Sequence, residues 1–569
     1  MFRDFIYIPI LIGLVTGIFA LSFIELINLI TSYVLEGIVG YHQPIPHGEG
    51  GRPFEPSPDM KLFLLPLTVG IAGLISGILT HLFSPESAGV GTDSAIRAYH
   101  TMQRLSLKSS VVKLITSALT IGSGGTSGRE GPIALIGAGA GSTVANFFAK
   151  TPRDRRIYLA VGLGAGISAI FKAPLAGAII SAEVFFKKDF EIRAMIPAFI
   201  ASVVSYSVFC AVHGFKPIFS LTVEPLSSHN AHHLLAYAGL GIFCALLIRT
   251  FVFTFFKVKS TFDRLPLKPY LRPAIGGFLA GIVAMFSLPA IGNGYGWLQM
   301  LMNGEYLQPL FLAIGIIGVA LGVSLTLGSG MSGGIFGPSV MIGGLAGALY
   351  SVSLNSITDL SLSVPSFMVV GMVSLFGGAA KAPLSTLILI AEMTGGYQLL
   401  VPAMVSVLFA YILSGDRSIF PSQVPTRIDS PAHIEEWGIL ALEKERVRNH
   451  MKVPITVSPQ TSLPEILKLM SEHLIGGIPV VEDGRLVGIV TRGDVMGVSP
   501  QHRDKIRARH IMTRNPITVT PEDTLADCLR IMMAGGIGRL PVVEDEESRK
   551  LVGIIARADI GRAIRRSRF

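Results

Sequence analysis

The residues able to do chemistry in this 569-residue chain sit where glycines interrupt apolar sequence. The segment Gly122-Ser123-Gly124-Gly125-Thr126-Ser127-Gly128-Arg129-Glu130-Gly131-Pro132 returns 206 positions later as Gly328-Ser329-Gly330-Met331-Ser332-Gly333-Gly334-Ile335-Phe336-Gly337-Pro338. A second pair keeps nearly the same offset. Lys172-Ala173-Pro174-Leu175, followed by Ala182-Glu183, returns as Lys381-Ala382-Pro383-Leu384, followed by Ala391-Glu392. Glycines stop a membrane helix, and amides freed inside a bilayer must face an ion or a polar ligand. Helix N-termini carry partial positive charge, so pairs of them aimed inward favour an anion. Paired Gly/Pro breaks in two halves of a hydrophobic chain also point to a transporter's substrate site. The chemistry predicted is passage of anions across a membrane, with Glu130 at its centre. A carboxylate inside apolar sequence is costly unless function keeps it there. At a helix start it can occupy an anion site as a tethered competitor, and protonation removes its charge and releases the site.

The elements that must position these residues are membrane helices. Half of the chain is hydrophobic, 15% is charged, and 63 glycines exceed what a soluble domain needs. Apolar runs cover Ile8–Ile30, Leu62–Phe83, Ile157–Ile170, Met195–Val212, Ala236–Phe256, Ile275–Ser287, Leu310–Leu327 and Val401–Leu413. Several approach the roughly 20 residues of a full span, and others reach only about 12 to 15, which predicts half-spanning or broken helices. The net charge of +9 would suggest nucleic acid only if its position were ignored. Much of it lies in short loops (Lys150 to Arg156, Lys187 and Lys188, Lys257 to Arg272), which the positive-inside rule places in the cytoplasm. His42–Met60 and His213–His233 carry one Arg and one Lys between them and are expected outside. Only Arg3 precedes the first run and no Ala-x-Ala site follows it, so no cleaved signal is expected. Cys210, Cys244 and Cys528 have no pairing or metal spacing and are expected to be packing residues.

After Leu413 the chain turns polar and a different repeat begins. Pro454-Ile455-Thr456-Val457-Ser458-Pro459 recurs as Pro516-Ile517-Thr518-Val519-Thr520-Pro521. Gly476-Gly477-Ile478-Pro479-Val480-Val481 recurs more loosely as Gly538-Arg539-Leu540-Pro541-Val542-Val543. Each copy is predicted as strand, helix, strand, strand, helix, with helices at Leu463–Glu472 and Leu525–Met533. Neither half has enough core alone, so the two must pack together. The copies resemble a tandem pair of CBS domains. That resemblance implies an adenine-nucleotide site, ATP, ADP or AMP, with an Asp on the ribose and a hydroxyl near phosphate. The first copy supplies Thr491 and Asp494; the second has Ala556 in the hydroxyl position but keeps Arg557 and Asp559. A module that binds nothing and only assembles is the alternative.

With Gly128-Arg129-Glu130-Gly131-Pro132, Gly333-Gly334-Ile335-Phe336-Gly337-Pro338, Ala173-Pro174-Leu175-Ala176-Gly177 and the CBS tail in that order, the chain resembles the CLC family of chloride channels and proton-coupled chloride antiporters. The resemblance implies an all-α polytopic membrane fold, two inverted repeats of tilted and broken helices, plus an α+β cytoplasmic CBS pair. Residues 1–430 would form the transport domain, 431–446 a linker, 447–500 and 507–569 the two CBS domains. It further implies a homodimer in the cell membrane, a pore in each subunit, and chloride as the transported ion with no cofactor required. Glu130 would be the external gating glutamate. Arg129, Gly131, Ile335, Phe336 and Gly337 would line the anion with main-chain N–H groups.

Three departures from the family pattern bear on mode. The usual serine hydroxyl of the first motif is replaced by Val90, and the usual tyrosine hydroxyl by Phe420. The internal glutamate found in many antiporters, one residue after Glu183, is Val184. These departures favour a passive chloride channel, with proton-coupled antiport as the alternative. A CBS-containing cation transporter or sensor is the competing class, but the apolar runs offer only Glu25, Glu130, Glu183 and Glu392, too few for the carboxylate rings cations need. No nucleophile–base pair stands out, so no enzyme is expected. Gly137-Ala138-Gly139-Ala140-Gly141 is expected to bring helices together rather than bind a dinucleotide. His229, His232 and His233 are expected to be a solvated loop, not a metal site. No Gly-Lys dipeptide exists, so a P-loop is absent.

Overall fold

The computed structural model describes residues 6–149, 151–220, 231–433, 442–443 and 445–566. The chain divides into two compact units, Met1–Ala432 and His433–Phe569. His229 and Lys150 lie outside the described residues; His233 meets the Leu360 carbonyl through Nε2 at 3.2 Å.

The first unit is helical. Eight of its helices, among the described residues, are long and apolar enough to cross a membrane. The apolar runs become helices with shifted ends. Ile8–Ile30 becomes Ile8–Thr31, and Ala236–Phe256 extends to Ala231–Arg264. The run Ile157–Ile170, expected to be short, is a 20-residue helix, Pro152–Phe171. Its first turn is charged and therefore invisible to hydropathy. Thr151 and Asp154 nevertheless cap each other across that turn, and Pro152 fits the first helical position. Half-length helices do occur: Pro174–Glu183, Pro383–Thr394 and Leu400–Leu413.

Glycines let the helices touch. Leu67, Ile71, Ile75, Ile78 and Leu82 form one exposed apolar face of the helix Leu65–Phe83, at the spacing of a helical stripe. Its other face presents Gly73, where a Cβ would stand 2.3 Å from the Pro273 carbonyl oxygen of the helix Arg272–Phe286. Lipid supplies no hydrophobic drive for association, so such backbone contact supplies it through dispersion. The predicted role of Gly137 to Gly141 follows the same rule. A Cβ on Gly137 would lie 2.2 Å from the Gly162 carbonyl oxygen, and one on Gly141 would lie 2.1 Å from that of Tyr158. The second half repeats both contacts: Gly343 against Gly371 at 2.4 Å and Gly347 against Phe367 at 2.1 Å. The helices concerned are Glu130–Phe148 on Pro152–Phe171, and Phe336–Ile357 on Val364–Ala380. Lys172 and Lys381 end the second helix of each pair in the same left-handed conformation, φ 54° and 55°.

The second unit has two similar halves. Gly477–Glu482 pairs antiparallel with Arg485–Thr491, and Arg539–Val543 with Leu551–Ala556. The predicted helices are Leu463–Glu472 and Leu525–Ala534. The expected first strand of each half shrinks to a single parallel bridge, Val457 on Val480 and Val519 on Val542. The prolines flanking each segment remove N–H donors and so prevent a longer ladder. Lead segments are exchanged between halves. Lys452 bonds with Ile554 in both directions at 2.9 Å, and Val447 is buried in the core of the second half. Ala508 is in turn buried in the core of the first. Cys528 is buried in the second core, and burial pushes its thiol up to about 12.

Candidate functional site

Four glycine-rich breaks of the first unit are stitched to one another. Gly89 N–H donates to the Gly330 carbonyl at 3.3 Å, Gly333 N–H to Gly89 at 3.1 Å and Gly91 N–H to Gly333 at 3.2 Å. Gly128 N–H donates to Gly334 at 2.8 Å, and Gly334 N–H to the Ser127 hydroxyl at 3.0 Å. The fourth break joins through Ser127 N–H to the Gly292 carbonyl and Gly292 N–H to that of Gly124, both at 3.1 Å. Gly124 and Gly330, equivalent in the repeat, take φ of +100° and +101°, which only glycine adopts freely. Side chains have no room here: a Cβ on Gly131 would stand 2.5 Å from Gly334 Cα. The repeated motifs thus bring the helix starts at Glu130 and Phe336 face to face.

Glu130 is fully buried and is the first residue of its helix. One carboxylate oxygen accepts from Gly337 N–H at 3.2 Å, in the first turn of the facing helix. The other accepts the O–H of Tyr295. Arg129 lies with its guanidinium 5.3 Å over the Tyr295 ring and pairs with Glu49 from the segment His47–Glu49. Its Nε has no partner among the described residues. Ile335 and Phe336 are buried at the facing helix start, where Phe336 packs on Phe171 and Phe376 with ring centroids 4.8 and 4.0 Å away. Their first-turn amides, like that of Gly131, have no partner within their own helices.

Two cavities border this arrangement. One of about 170 Å³ is lined by Glu49, Arg129, Lys172, His213 and Asn293. The other, about 220 Å³, is lined by Gly89, Val90, Phe256, Lys259, Ile419 and Pro421. Val90 therefore sits beside the amide ladder, immediately before the helix Gly91–His100. Phe420 is buried, and its amide donates to the Ser418 hydroxyl at 3.0 Å.

Glu183 has a partner that spacing alone did not supply. Its carboxylate accepts Leu384 N–H at 3.0 Å, Ser385 N–H at 2.6 Å and the Ser385 hydroxyl at 2.5 Å. Glu392 does the same for the other half, accepting Leu175 N–H at 3.2 Å and Ala176 N–H at 2.8 Å. Each carboxylate caps the half-helix of the opposite repeat. Val184, next to Glu183, is buried, and its carbonyl accepts Gln423 Nε2 at 2.9 Å.

Sequence reading missed three residues of this region. Tyr295 stands in Gly292-Asn293-Gly294-Tyr295-Gly296, a glycine-rich break outside the repeat and the only signal it offers. Glu49 lies in a polar loop with no motif. Lys113, the one charge in an otherwise uncharged stretch, donates from Nζ to the Ser87 and Gly89 carbonyls at 3.0 and 2.7 Å, bracing the Gly89 turn.

In the tail, the four expected nucleotide residues separate. Thr491 lines a cavity of about 390 Å³ together with Arg492, Gly493, Ile517 and Arg539. Asp494 folds back to accept Thr491 N–H and its hydroxyl, both at 2.7 Å. Arg557 donates to the Ile537 carbonyl at 3.3 Å. Asp559 accepts from Ala556 N–H at 2.9 Å and pairs with Lys452 and Arg562. Arg539 was not among the expected residues; its one signal in sequence is that it stands where the first copy has Gly477. Burial and the neighbouring Arg492 guanidinium hold it below the usual arginine range, so the cavity favours an anion.

Comparison with known proteins gives the same two parts. A family model described as voltage gated chloride channel matches residues 72–415, and the CBS domain model matches 447–500 and 508–566. The H(+)/Cl(-) exchange transporter ClcA of Yersinia pestis bv. Antiqua (strain Angola) is 29% identical over 367 residues, covering 63% of this chain and 76% of that protein. The voltage-gated ClC-type chloride channel ClcB of Escherichia coli O17:K52:H18 (strain UMN026 / ExPEC) is 30% identical over 356 residues, covering 61% and 83%. The crystal structure of a slow cyanobacterial Cl-/H+ antiporter shares the fold, with a TM-score of 0.64 at 24% identity, covering 73% of this chain and 96% of that one.

Proposed function

The chain belongs to the voltage gated chloride channel family, and from that premise we propose that it exchanges chloride for protons, with Glu130 and the anion alternating at one site. As a multi-pass membrane protein of that family, it transports anions. What carries the finer proposal is Glu130 itself: a buried carboxylate where two helix starts meet, taking an amide N–H and a phenol O–H that an anion could take instead. With Glu130 in place, its side chain would separate the Arg129 cavity from the Val90 cavity. When chloride displaces it, the carboxylate turns out toward the cavity that Arg129 and Lys172 line, and protonation lets it stay out. Coupling of that proton to chloride is supported by the exchange named for the ClcA relative.

A passive channel is the second reading, favoured by the inner side of the protein. Val184 carries no proton, and Glu183 is occupied with Leu384 and Ser385. In the exchanger the inner proton route would therefore run through water. Reversal potential in liposomes decides between them. Under a chloride gradient, a value that shifts when a proton gradient is imposed supports exchange. One that follows chloride alone removes exchange and leaves the channel. The basic loops and the CBS pair would face the cytoplasm of the cell membrane, and the protein would be a homodimer, which crosslinking in intact membranes tests.

A further inference from the structure

Glu130 is held by two donors of different kinds. Gly337 supplies backbone; Tyr295 supplies a side chain that the repeat does not contain. Tyr295 opens the short helix Tyr295–Met302, where Asn293 Oδ1 accepts its amide at 3.2 Å. Gly292 and Gly294, at φ +66° and +74°, turn the chain so that the ring enters the core. There it is fully buried, edge-on to Phe219 with ring centroids 5.7 Å apart and beneath the Arg129 guanidinium. A buried ring held between Phe219 and the Arg129 guanidinium cannot follow the carboxylate when Glu130 leaves. Its O–H would then stay buried and aimed at an empty position, next to an Arg129 Nε that has no partner among the described residues. Buried donors are rarely left unsatisfied.

We propose that Tyr295 is the side-chain donor of the outer anion site: the hydroxyl that holds the Glu130 carboxylate donates to the chloride that takes its place. This rests on the alternation of Glu130 with the anion. It also accounts for Val90 and Phe420, which carry no hydroxyl: the side-chain donor has moved from the inner side of the ladder to the outer.

The test uses the full chain. Tyr295→Phe keeps the ring against Phe219 and removes only the hydroxyl. Chloride titration by calorimetry compares Glu130→Ala with Glu130→Ala/Tyr295→Phe, so that the tethered competitor is absent from both. The double variant should bind chloride about tenfold more weakly, the scale of one hydrogen bond to an ion. Equal affinities overturn the proposal. In the parent protein, Tyr295→Phe should move the pH profile of chloride efflux upward by about one unit, because the carboxylate loses a donor while Arg129 and its partner Glu49 stay in place. An unmoved profile also overturns it. Failure of the alternation itself reads out separately: Glu130→Ala alone would keep the parent's pH dependence.

Discussion

A buried carboxylate held by one amide and one phenol differs from a free anion only in its tether, so neutralising it should free the site. Glu130→Gln is expected to leave anion efflux equal to the parent or higher, while flattening its dependence on external pH. Efflux from liposomes at several pH values measures this, and loss of efflux from a folded protein would remove Glu130 from the gate. Asp559 illustrates the opposite use of a carboxylate. Burial acts to raise it, but Lys452, the Ala556 amide and Arg562 hold it below the usual carboxylate range. A depressed acid stabilises fully above its unfolded value of about 4 and loses that contribution as pH falls through the folded one. Asp559→Asn should therefore lower the melting temperature of the tail transition at pH 7, with the difference closing as the pH falls through the depressed folded value. A gap that persists in acid would mean that packing, not charge, holds Asp559.

At the scale of elements, each half-helix is capped from the opposite repeat. Glu183 satisfies the first-turn amides of Pro383–Thr394, and Glu392 those of Pro174–Glu183. Removing such a cap leaves buried N–H groups unpaired and an N-terminal partial charge without its anion. Glu183→Ala is expected to destabilise the membrane unit by roughly 2–3 kcal/mol, with Glu183→Gln about half as severe because an amide oxygen still accepts. Thermal unfolding in detergent gives the comparison, and an unchanged midpoint for Glu183→Ala would mean the cap contributes little. The glycine contacts make a second test. In Gly162→Ala the new Cβ would meet the Gly137 carbonyl oxygen at 2.1 Å, backbone that cannot turn aside. The variant should be recovered in far lower monodisperse yield than a surface change such as Leu67→Ala on the exposed apolar stripe.

For the molecule as a whole, the tail matters to transport only if a ligand binds it with different affinity in two states of the protein. Arg492 and Arg539 make its central cavity an anion's environment. If an adenine nucleotide is that anion, Arg539→Ala should weaken its binding to the full chain by about tenfold, and Asp494→Ala should act less, since Asp494 is engaged by Thr491. Calorimetry without heat from ATP, ADP or AMP would favour a purely structural pair. The exchanged lead segments of the two halves suit such a pair, because neither half can complete its core without the other.

Sequence alone determined the membrane character, the duplicated glycine breaks with the Glu130 carboxylate at one of them, and the CBS pair. Each depends on local spacing or composition, which a chain carries before it folds. Helices such as Glu130–Phe148 and Phe336–Ile357 were not separable as apolar runs, because their glycines and serines serve contact with neighbours rather than lipid. Tertiary structure decided the partners. That Tyr295 lies 165 positions from Glu130 and still donates to it, that Glu183 caps Leu384 and Ser385 of the other repeat, and that Arg539 rather than Asp559 lines the tail cavity follow from the packing of the helices and strands. A hydrogen bond is specified by distance in space, and residues far apart in sequence carry no record of that distance until packing sets it.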